Sequence, residues 1–154
     1  MANVSFSKAY ETQIDAVHIE GYVEFRVVHG DLTAGATTEA LDIPNFPARA
    51  YPLRGRLLVG AYFTGGGATT CTAQLGDSGD PNALVEALDV FSTTALGSWT
   101  LTLTQGVQAE GASTGYVYEA AYAPQILFTC SGNVSILTTG HLTGQIHYRR
   151  PVHR

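Results

Sequence analysis

Alternation of apolar and polar side chains with a period of two residues is the feature that most constrains this chain. From Val17 to His29, every second residue up to Val27 is apolar or glycine, and most residues between them are polar or charged. A strand places successive side chains on opposite faces, so this segment predicts a β-strand with one buried face. Leu53 to Thr64 and Thr69 to Leu75 repeat the pattern, which favours a protein built from strands.

Further strands are predicted along the rest of the chain, with turn residues between them. They are Trp99 to Thr104, Tyr116 to Ala123, Pro124 to Cys130, Val134 to Thr138 and His141 to Arg150. Asp31 to Asp42 consists of turn and polar residues, and Pro44, Pro47 and Pro52 exclude a central strand around them. The glycine run of residues 65–67 predicts a hairpin between its flanking strands. About eight short strands without βαβ alternation predict an all-β fold, an antiparallel and jelly-roll-like β-sandwich.

One short helix is expected near residues 81–88, after the acidic turn of residues 76–81. Asp80 suits the N-cap, where its carboxylate accepts from free N–H groups, and Pro81 suits the first helical position. An apolar side completes the pattern, formed by Leu84, Val85 and Leu88. The alternative is a calcium site that uses Asp77, Ser78 and Asp80, because closely spaced carboxylates suit a hard cation, although the twelve-residue EF-hand pattern is absent.

The length of 154 residues fits one domain with a sizeable core. We expect residues 1–16 to form an N-terminal arm or an edge strand, residues 17–150 a single β-sandwich domain, and residues 151–154 a C-terminal tail. No apolar run is long enough for a membrane span, and the N-terminal residues lack the order of a signal peptide. Synthesis in the cytoplasm is therefore the expectation.

The charge balance and the cysteines bear on the class of partner and on covalent bonds. A net charge of −5 argues against a nucleic-acid partner, because phosphate binding needs a basic patch. The two cysteines, Cys71 and Cys130, lack CxxC spacing. In a reducing compartment we expect buried free thiols, and the alternative is a disulfide between neighbouring strands of one sheet.

Motifs for catalysis or for a bound cofactor are absent from the sequence. None of the five histidines has HxH or HxxxH spacing, and His141 and His147, on the outward side of the last strand, lie about 20 Å apart. We therefore expect histidines that are on the surface or hydrogen-bonded. No GxSxG motif or catalytic cysteine context is present. The sequence predicts a protein that is not an enzyme and has no cofactor.

Arginines cluster in two parts of the chain. Arg49, Arg54 and Arg56 form one group, and Arg149, Arg150 and Arg154 form the other. One interpretation is solubilising charge at sheet edges, and the other is an interface in which they meet carboxylates of a neighbouring subunit. Eight tyrosines also fit an interface-rich surface. The interface candidates are Phe6, Tyr10, Tyr22, Arg49, Arg54, Arg56, Arg149 and Arg150.

The order of these features resembles small β-sandwich virion proteins of tailed bacteriophages, over about residues 40–148. The first features are a proline-flanked segment, Ile43 to Pro52, and a strand that ends in an aromatic residue and a glycine turn, Leu57 to Gly67. A threonine-rich strand then ends at the turn of residues 76–81, and the short helix follows, with a glycine soon after it.

The resemblance implies a structural role as a head decoration, or cement, protein. Such a subunit is a jelly-roll-like homotrimer that binds the major capsid protein on the outside of the head and stabilises contacts between capsomers. The resemblance implies no catalytic residues, and it makes residues 1–16 a candidate for contacts with the capsid or with an adjacent copy. The alternative is a tail or fibre module that binds a host receptor or carbohydrate.

Overall fold

The computed structural model describes residues 2–100 and 122–152. In these residues nine strands form two antiparallel sheets, which confirms the predicted all-β sandwich. The first sheet has the strand order β1-β2-β9-β4-β7 and the second has the order β3-β8-β5-β6. The strands are β1 (Phe6–Gln13), β2 (His18–Val28), β3 (Thr38–Asp42), β4 (Tyr51–Thr64), β5 (Cys71–Gly76), β6 (Val85–Asp89), β7 (Trp99–Thr100), β8 (Gln125–Cys130) and β9 (Thr139–Pro151).

One core lies between the sheets and is filled from both of them. The predicted inward residues of β2, Val23, Phe25 and Val27, are fully buried, so the alternation in the sequence sets which face of this strand is buried. Phe63 of the first sheet and Phe128 of the second meet across the core, with ring centroids 4.9 Å apart. The other fully buried core residues include Leu41, Leu57, Val59, Leu75, Ile126 and Ile146.

Two glycines in the β2–β9 pairing leave space for an aromatic side chain on the opposite strand. Gly144 lies opposite Phe25, and Gly21 lies opposite Tyr148. A Cβ at Gly144 would overlap the Phe25 ring, and a Cβ at Gly21 would lie 2.8 Å from the Tyr148 hydroxyl oxygen. The space at Gly21 lets that hydroxyl donate a hydrogen bond to Glu11 of β1, at 2.7 Å. These glycines therefore serve close packing in the sheet.

Residues 2–13 connect the two sheets along one side of the sandwich. Asn3 forms a parallel bridge with Asp42, at the end of β3 in the second sheet. The Val4 N–H donates to the Asp42 carbonyl at 3.1 Å, and the Asp42 N–H donates to the Ala2 carbonyl at 2.9 Å. The chain then continues as β1, which pairs with β2 and forms an edge of the first sheet.

The helix expected near residues 81–88 is wrong, because these residues form a turn and then strand β6. The Leu84 N–H donates to the Leu75 carbonyl at 2.8 Å, and Val85 pairs with Leu75, so the segment extends the second sheet. Asp77 holds the preceding turn, since its Oδ1 accepts from the Gly79 and Asp80 N–H groups at 2.8 and 2.9 Å. Strand pairing wins because a helix of two turns is marginal without strong packing.

Other local predictions are wrong because sheet membership is not visible in a short window of sequence. Residues 38–42, expected to be polar turn residues, form edge strand β3. The glycines at 65–67, all with positive φ, connect β4 of the first sheet to β5 of the second and close no hairpin. Val134–Ile136 is a 3-10 turn where a strand was predicted.

Pro52 lies inside β4, which is flanked by β9 and β7, against the expectation that no central strand runs there. The position is tolerated because β7 pairs only with Leu57 and Leu58, further along β4. Of the predicted strand at residues 99–104, Trp99 and Thr100 form β7, and the remainder lies outside the described residues. The predicted strand at residues 116–123 falls mainly outside them too. Within the described ranges, no helix has the length and apolarity that a membrane crossing requires.

The two cysteines form a disulfide, so the expectation of free thiols is wrong and the alternative is confirmed. Cys71 of β5 lies opposite Cys130 of β8, with their Cα atoms 4.1 Å apart. The Ser131 N–H donates to the Thr70 carbonyl at 3.1 Å, which makes the cysteines a non-hydrogen-bonded pair, the arrangement that brings cross-strand side chains closest. The bond links the two central strands of the second sheet.

Candidate functional site

The outward side chains of the first sheet form rows that cross β1, β2, β9 and β4. Cross-strand pairing produces a middle row of Tyr10, Tyr22, His147 and Arg54. The rows on either side hold Lys8, Glu24, Gln145 and Arg56, and Thr12, Glu20 and Arg149. We call these three rows, together with Phe6, Arg26 and Trp99, the basic-aromatic face.

Aromatic rings are in contact along the middle row. Tyr10 and Tyr22 are stacked with ring centroids 5.0 Å apart, and Tyr22 lies 5.5 Å from the His147 ring. Tyr10 remains 38% exposed, and Trp99, at the other side of the face, remains 37% exposed. Rings with this exposure offer apolar area and a polar group to a partner.

In the row that also contains Lys8, hydrogen bonds join the side chains of Arg56, Gln145 and Glu24 on three strands. The Nε and Nη2 of Arg56 donate to Gln145 Oε1 at 2.9 and 2.6 Å, and Gln145 Nε2 donates to Glu24 Oε1 at 3.1 Å. The amide of Gln145 fits here because it accepts at one end and donates at the other. The Arg56 guanidinium also lies 4.3 Å from the centroid of the Trp99 ring. Gln145 and Trp99 therefore both hold this side chain in place.

Arg149 and Arg150 each bind a carboxylate, on opposite faces of β9. Arg149 Nε donates to Glu20 Oε2 at 2.9 Å, and its Nη2 binds the same oxygen, which raises the pKa of the guanidinium. Arg150 donates to both oxygens of Glu11, at 2.6 and 2.8 Å. This hydrogen-bonded pair lowers the pKa of Glu11, mainly through Arg150, while burial and the Glu11 contact raise the pKa of Tyr148.

Arg54 and His147 differ from these pairs, because the described residues supply no partner for their polar atoms. Arg54 is exposed and makes no hydrogen bond or ion pair with residues 2–100 or 122–152. His147 Nε2 is buried and has no hydrogen-bond partner in those residues, so the expectation of a surface or hydrogen-bonded histidine is wrong here. Burial first, and then the charges of Arg54 and Arg56, lower the pKa of His147 to about 4. The imidazole is therefore neutral at pH 7.

A groove of about 570 Å³ opens along the middle row. Tyr10, Tyr22, His147 and Arg54 line it, together with residues that include Thr12, Glu20 and Leu53. The Glu20 carboxylate is bound by Arg149. The tyrosine hydroxyls have no hydrogen-bond partner among the described residues. The groove therefore offers hydrogen-bond donors and one unpaired cation to whatever enters it.

The structure brings six of the eight predicted interface residues together on the basic-aromatic face. They are Phe6, Tyr10, Tyr22, Arg54, Arg56 and Arg149. Arg150 lies on the other face of β9, and Arg49 lies in the loop before β4 with a φ of 63°. Sequence reasoning missed Lys8, Arg26, Gln145, His147 and Trp99 as members of this face, because membership depends on the pairing register of four strands. That the face is an interface stays a prediction.

Asp77 and Asp80, the calcium candidates, lie in the turn before β6. One oxygen of Asp77 is already bound by two backbone N–H groups. Residues 2–100 and 122–152 contain no group of three or more His, Cys, Asp or Glu residues that could hold a metal ion. Calcium binding at this turn stays an untested alternative to the prediction that the protein holds no metal.

Comparison with known proteins finds a similar structure but no similar sequence. No protein-family model matches the chain, and no curated protein matches it. Among solved structures, it is similar to a chain of the cyanophage Pam1 capsid asymmetric unit, with a TM-score of 0.55 and 17% sequence identity. The alignment covers 91% of this chain and 91% of that chain, so the two have closely similar lengths. At this identity the similarity shows a shared fold.

Proposed function

We propose that this protein is a structural subunit of a tailed-bacteriophage virion and that it docks on the head through its basic-aromatic face. The observation that carries the proposal is the fold shared with a chain of a phage capsid asymmetric unit, over 91% of both chains. A shared fragment would give partial coverage, whereas here nearly the whole of both chains corresponds. Fold alone does not determine function, so the proposed docking depends on the residues of the surface.

The distribution of charge supports docking through one face. Five of the seven Lys and Arg residues in the described ranges lie on the basic-aromatic face, beside only two carboxylates, Glu20 and Glu24. The chain as a whole carries a net charge of −5. A positive face on an acidic protein orients its approach to an acidic surface, because the complementary potential steers encounter and sets register.

Within this role we favour a decoration, or cement, protein. In this proposal a jelly-roll-like homotrimer binds the major capsid protein on the outer surface of the head and stabilises contacts between capsomers. Many identical contacts of modest strength then give firm attachment, since each bound site raises the effective concentration at the next. The role requires no catalytic residue and no cofactor. Residues 1–16 are proposed to contribute contacts only through β1, whose Phe6 and Tyr10 lie on the docking face.

Imaging intact virions tests the proposal directly. A gold-labelled antibody, or an inserted epitope in the loop at Arg49, is expected to decorate the head at regular lattice positions. Light scattering after size-exclusion chromatography is expected to show a trimer. Label confined to the tail, or a monomer that does not sediment with capsids, contradicts the proposal.

A tail or fibre module that binds carbohydrate is the second candidate, favoured by the aromatic groove at Tyr10 and Tyr22. Sugars stack on exposed rings and take hydrogen bonds from the groups beside them. Under this candidate the protein binds neutral glycans on an array and labels the tail. Binding to a neutral glycan does not require the positive charge of the surrounding face. The cluster of cations on this face therefore favours docking on the head.

A further inference from the structure

We propose that the groove at Arg54 is an anchor for a carboxylate that an acidic segment of a partner polypeptide supplies. The identification of that partner as the capsid rests on the proposed function. Its chemistry rests on the groove alone. The anchor differs from the rest of the basic-aromatic face because its neighbours Arg56 and Arg149 are already held by Gln145 and Glu20.

The polar groups in the groove are matched to an anion. Arg54 presents an unpaired guanidinium, whose planar set of donors fits the two oxygens of a carboxylate. The hydroxyls of Tyr10 and Tyr22 are free to donate, and their stacked rings form one wall. Glu11 and Glu20, the carboxylates in the lining, are bound by arginines, so they do not take up Arg54.

The surroundings of His147 give further support, because two arginines of β4 lie beside this ring at the groove. The charged and titratable groups that face it are Tyr22 and Glu20 of β2, and Arg54 and Arg56 of β4, with Tyr10 of β1 beyond Tyr22. Burial is the main reason why the pKa of His147 falls to about 4, and the charges of Arg54 and Arg56 lower it further against the opposing charge of Glu20. The two positive charges that disfavour an imidazolium here favour an anion beside them.

The surface around the groove favours a polypeptide over a small acidic sugar. Exposed apolar side chains continue along the same face, with Trp99 at 37% and Val28 at 40% exposure. Lys8 and Arg26, each stacked on an aromatic ring, also extend beyond the groove and pair with no described carboxylate. A monosaccharide would cover the groove only, whereas a peptide segment covers these neighbours too. Glu20 and Glu24 interrupt the positive surface, which disfavours a continuous phosphate backbone.

The test is an NMR titration of the full chain with hexaglutamate as the probe, observed at the His147 ring. We expect saturable binding that raises the pKa of His147 from about 4, since an anion beside Arg54 offsets the charge that lowers it. Linkage then requires tighter binding at pH 5.5 than at pH 7. Hexaglutamine is the matched uncharged probe, and it is expected to leave the His147 pKa unchanged.

Two variants with the same change of charge locate the anchor. Arg54→Gln is expected to weaken hexaglutamate binding about tenfold, the effect of losing one charge-assisted contact. Arg49→Gln removes an arginine from a loop outside the face and is expected to leave binding within about twofold. Equal effects of the two variants would show binding by net charge alone and would overturn the anchor.

Glucuronate as a second probe separates the two sources of a carboxylate. Binding of glucuronate that is tighter than that of hexaglutamate would assign the groove to an acidic sugar and overturn the polypeptide. No perturbation of His147 by either probe would overturn the anchor altogether. These results are independent of virion imaging, so a protein that labels the head without binding hexaglutamate fails the anchor and keeps the proposed function.

Discussion

The first sheet presents arginines, a lysine and aromatic rings on its outer face, whereas the outer face of the second sheet is built mainly from threonine, glutamine and aliphatic residues. In the second sheet, one row crosses all four strands and contains Thr38, Thr129, Thr72 and Asp89. The next row contains Ala40, Leu127 and Gln74. We call these two rows the threonine face. The strands of this sheet contain no lysine or arginine.

The comparison shows two different uses of charge. Two carboxylates of the second sheet bind nearby backbone groups, since Glu39 accepts from the Thr33 and Ala34 N–H groups and Asp89 accepts from the Phe91 and Ser92 N–H groups. A bond from the Thr93 hydroxyl is the main reason why the pKa of Asp89 is lowered. Guanidinium and ammonium groups cannot accept from N–H groups, so they do not fill this role. On the first sheet, Gln145 and Glu20 hold Arg56 and Arg149. Lys8, Arg26 and Arg54 pair with no described carboxylate and remain available for contact with another molecule.

Removing the disulfide tests the largest difference in how the described parts of the two sheets are held. Cys71→Ala with Cys130→Ala is expected to lower the free energy of unfolding by about 4 kcal/mol, because the bond closes a loop across 59 residues of sequence. Urea unfolding under oxidising conditions measures the change. Dithiothreitol is expected to destabilise the wild type and to leave the double variant unchanged. A wild type that is indifferent to the reductant would show that the bond contributes no stability.

Neutralising cations on one face, with a matched charge change on the other, tests the functional difference between them. Lys8→Gln with Arg26→Gln and Thr38→Glu with Thr129→Glu each shift the net charge by −2. The first pair is expected to weaken binding to capsids, measured by co-sedimentation, about thirtyfold, or about 2 kcal/mol. This loss is expected to be smaller at high salt. The second pair is expected to change it less than threefold. Equal losses would mean that net charge, not the basic-aromatic face, controls docking.

The sheets themselves could be predicted from the sequence to a large extent, since burial of one face imposes a period of two. Val23, Phe25 and Val27 show this for β2, and Leu142, Ile146 and Tyr148 show it for β9. The errors lie where the partner strand decides the structure. Val85 forms a strand because Leu75 lies beside it, and Cys71 is bonded because Cys130 lies opposite it.

The candidate site could be predicted only in part, for the same reason. Tyr10, Tyr22 and Arg54 are predicted from the sequence as aromatic and basic interface candidates. Their common row requires that β9 lie between β2 and β4, although β9 begins 75 residues after β4 ends. No local pattern contains that pairing. His147 was consequently dismissed, because its significance comes from Arg54 and Arg56 on the adjacent strand.

Breaking the hydrogen bonds around Gln145 tests whether the rows of the basic-aromatic face add to stability. Gln145→Leu leaves Arg56 and Glu24 without their shared partner and is expected to cost about 1 kcal/mol in urea unfolding. Gln74→Leu is the control on the threonine face, where the side chain makes no hydrogen bond with any described residue. It is expected to change stability by less than about 0.5 kcal/mol. A larger loss for Gln74→Leu would contradict this account of the two faces.

The pH dependence of stability provides the smallest and most specific contrast, because the strands of the second sheet contain no histidine. The pKa of His147 falls from 6.5 to about 4 on folding, so between these values the unfolded chain binds more protons than the native one. Stability therefore decreases as pH falls from 6.5 towards 4. Because the side chain is only half-buried, we expect this contribution to stay below about 1 kcal/mol.

Unfolding measured between pH 7 and 5 isolates His147 from the carboxylates with lowered pKa, such as Glu11 and Asp89, which lose their contribution only below about 4.5. His147→Gln is expected to reduce the slope of stability against pH in this range. Arg54→Gln is expected to reduce it partly, because Arg54 is one of the charges that lower the pKa. A slope that survives His147→Gln unchanged would place the titrating group elsewhere, and the positive potential inferred for the groove would lose its support.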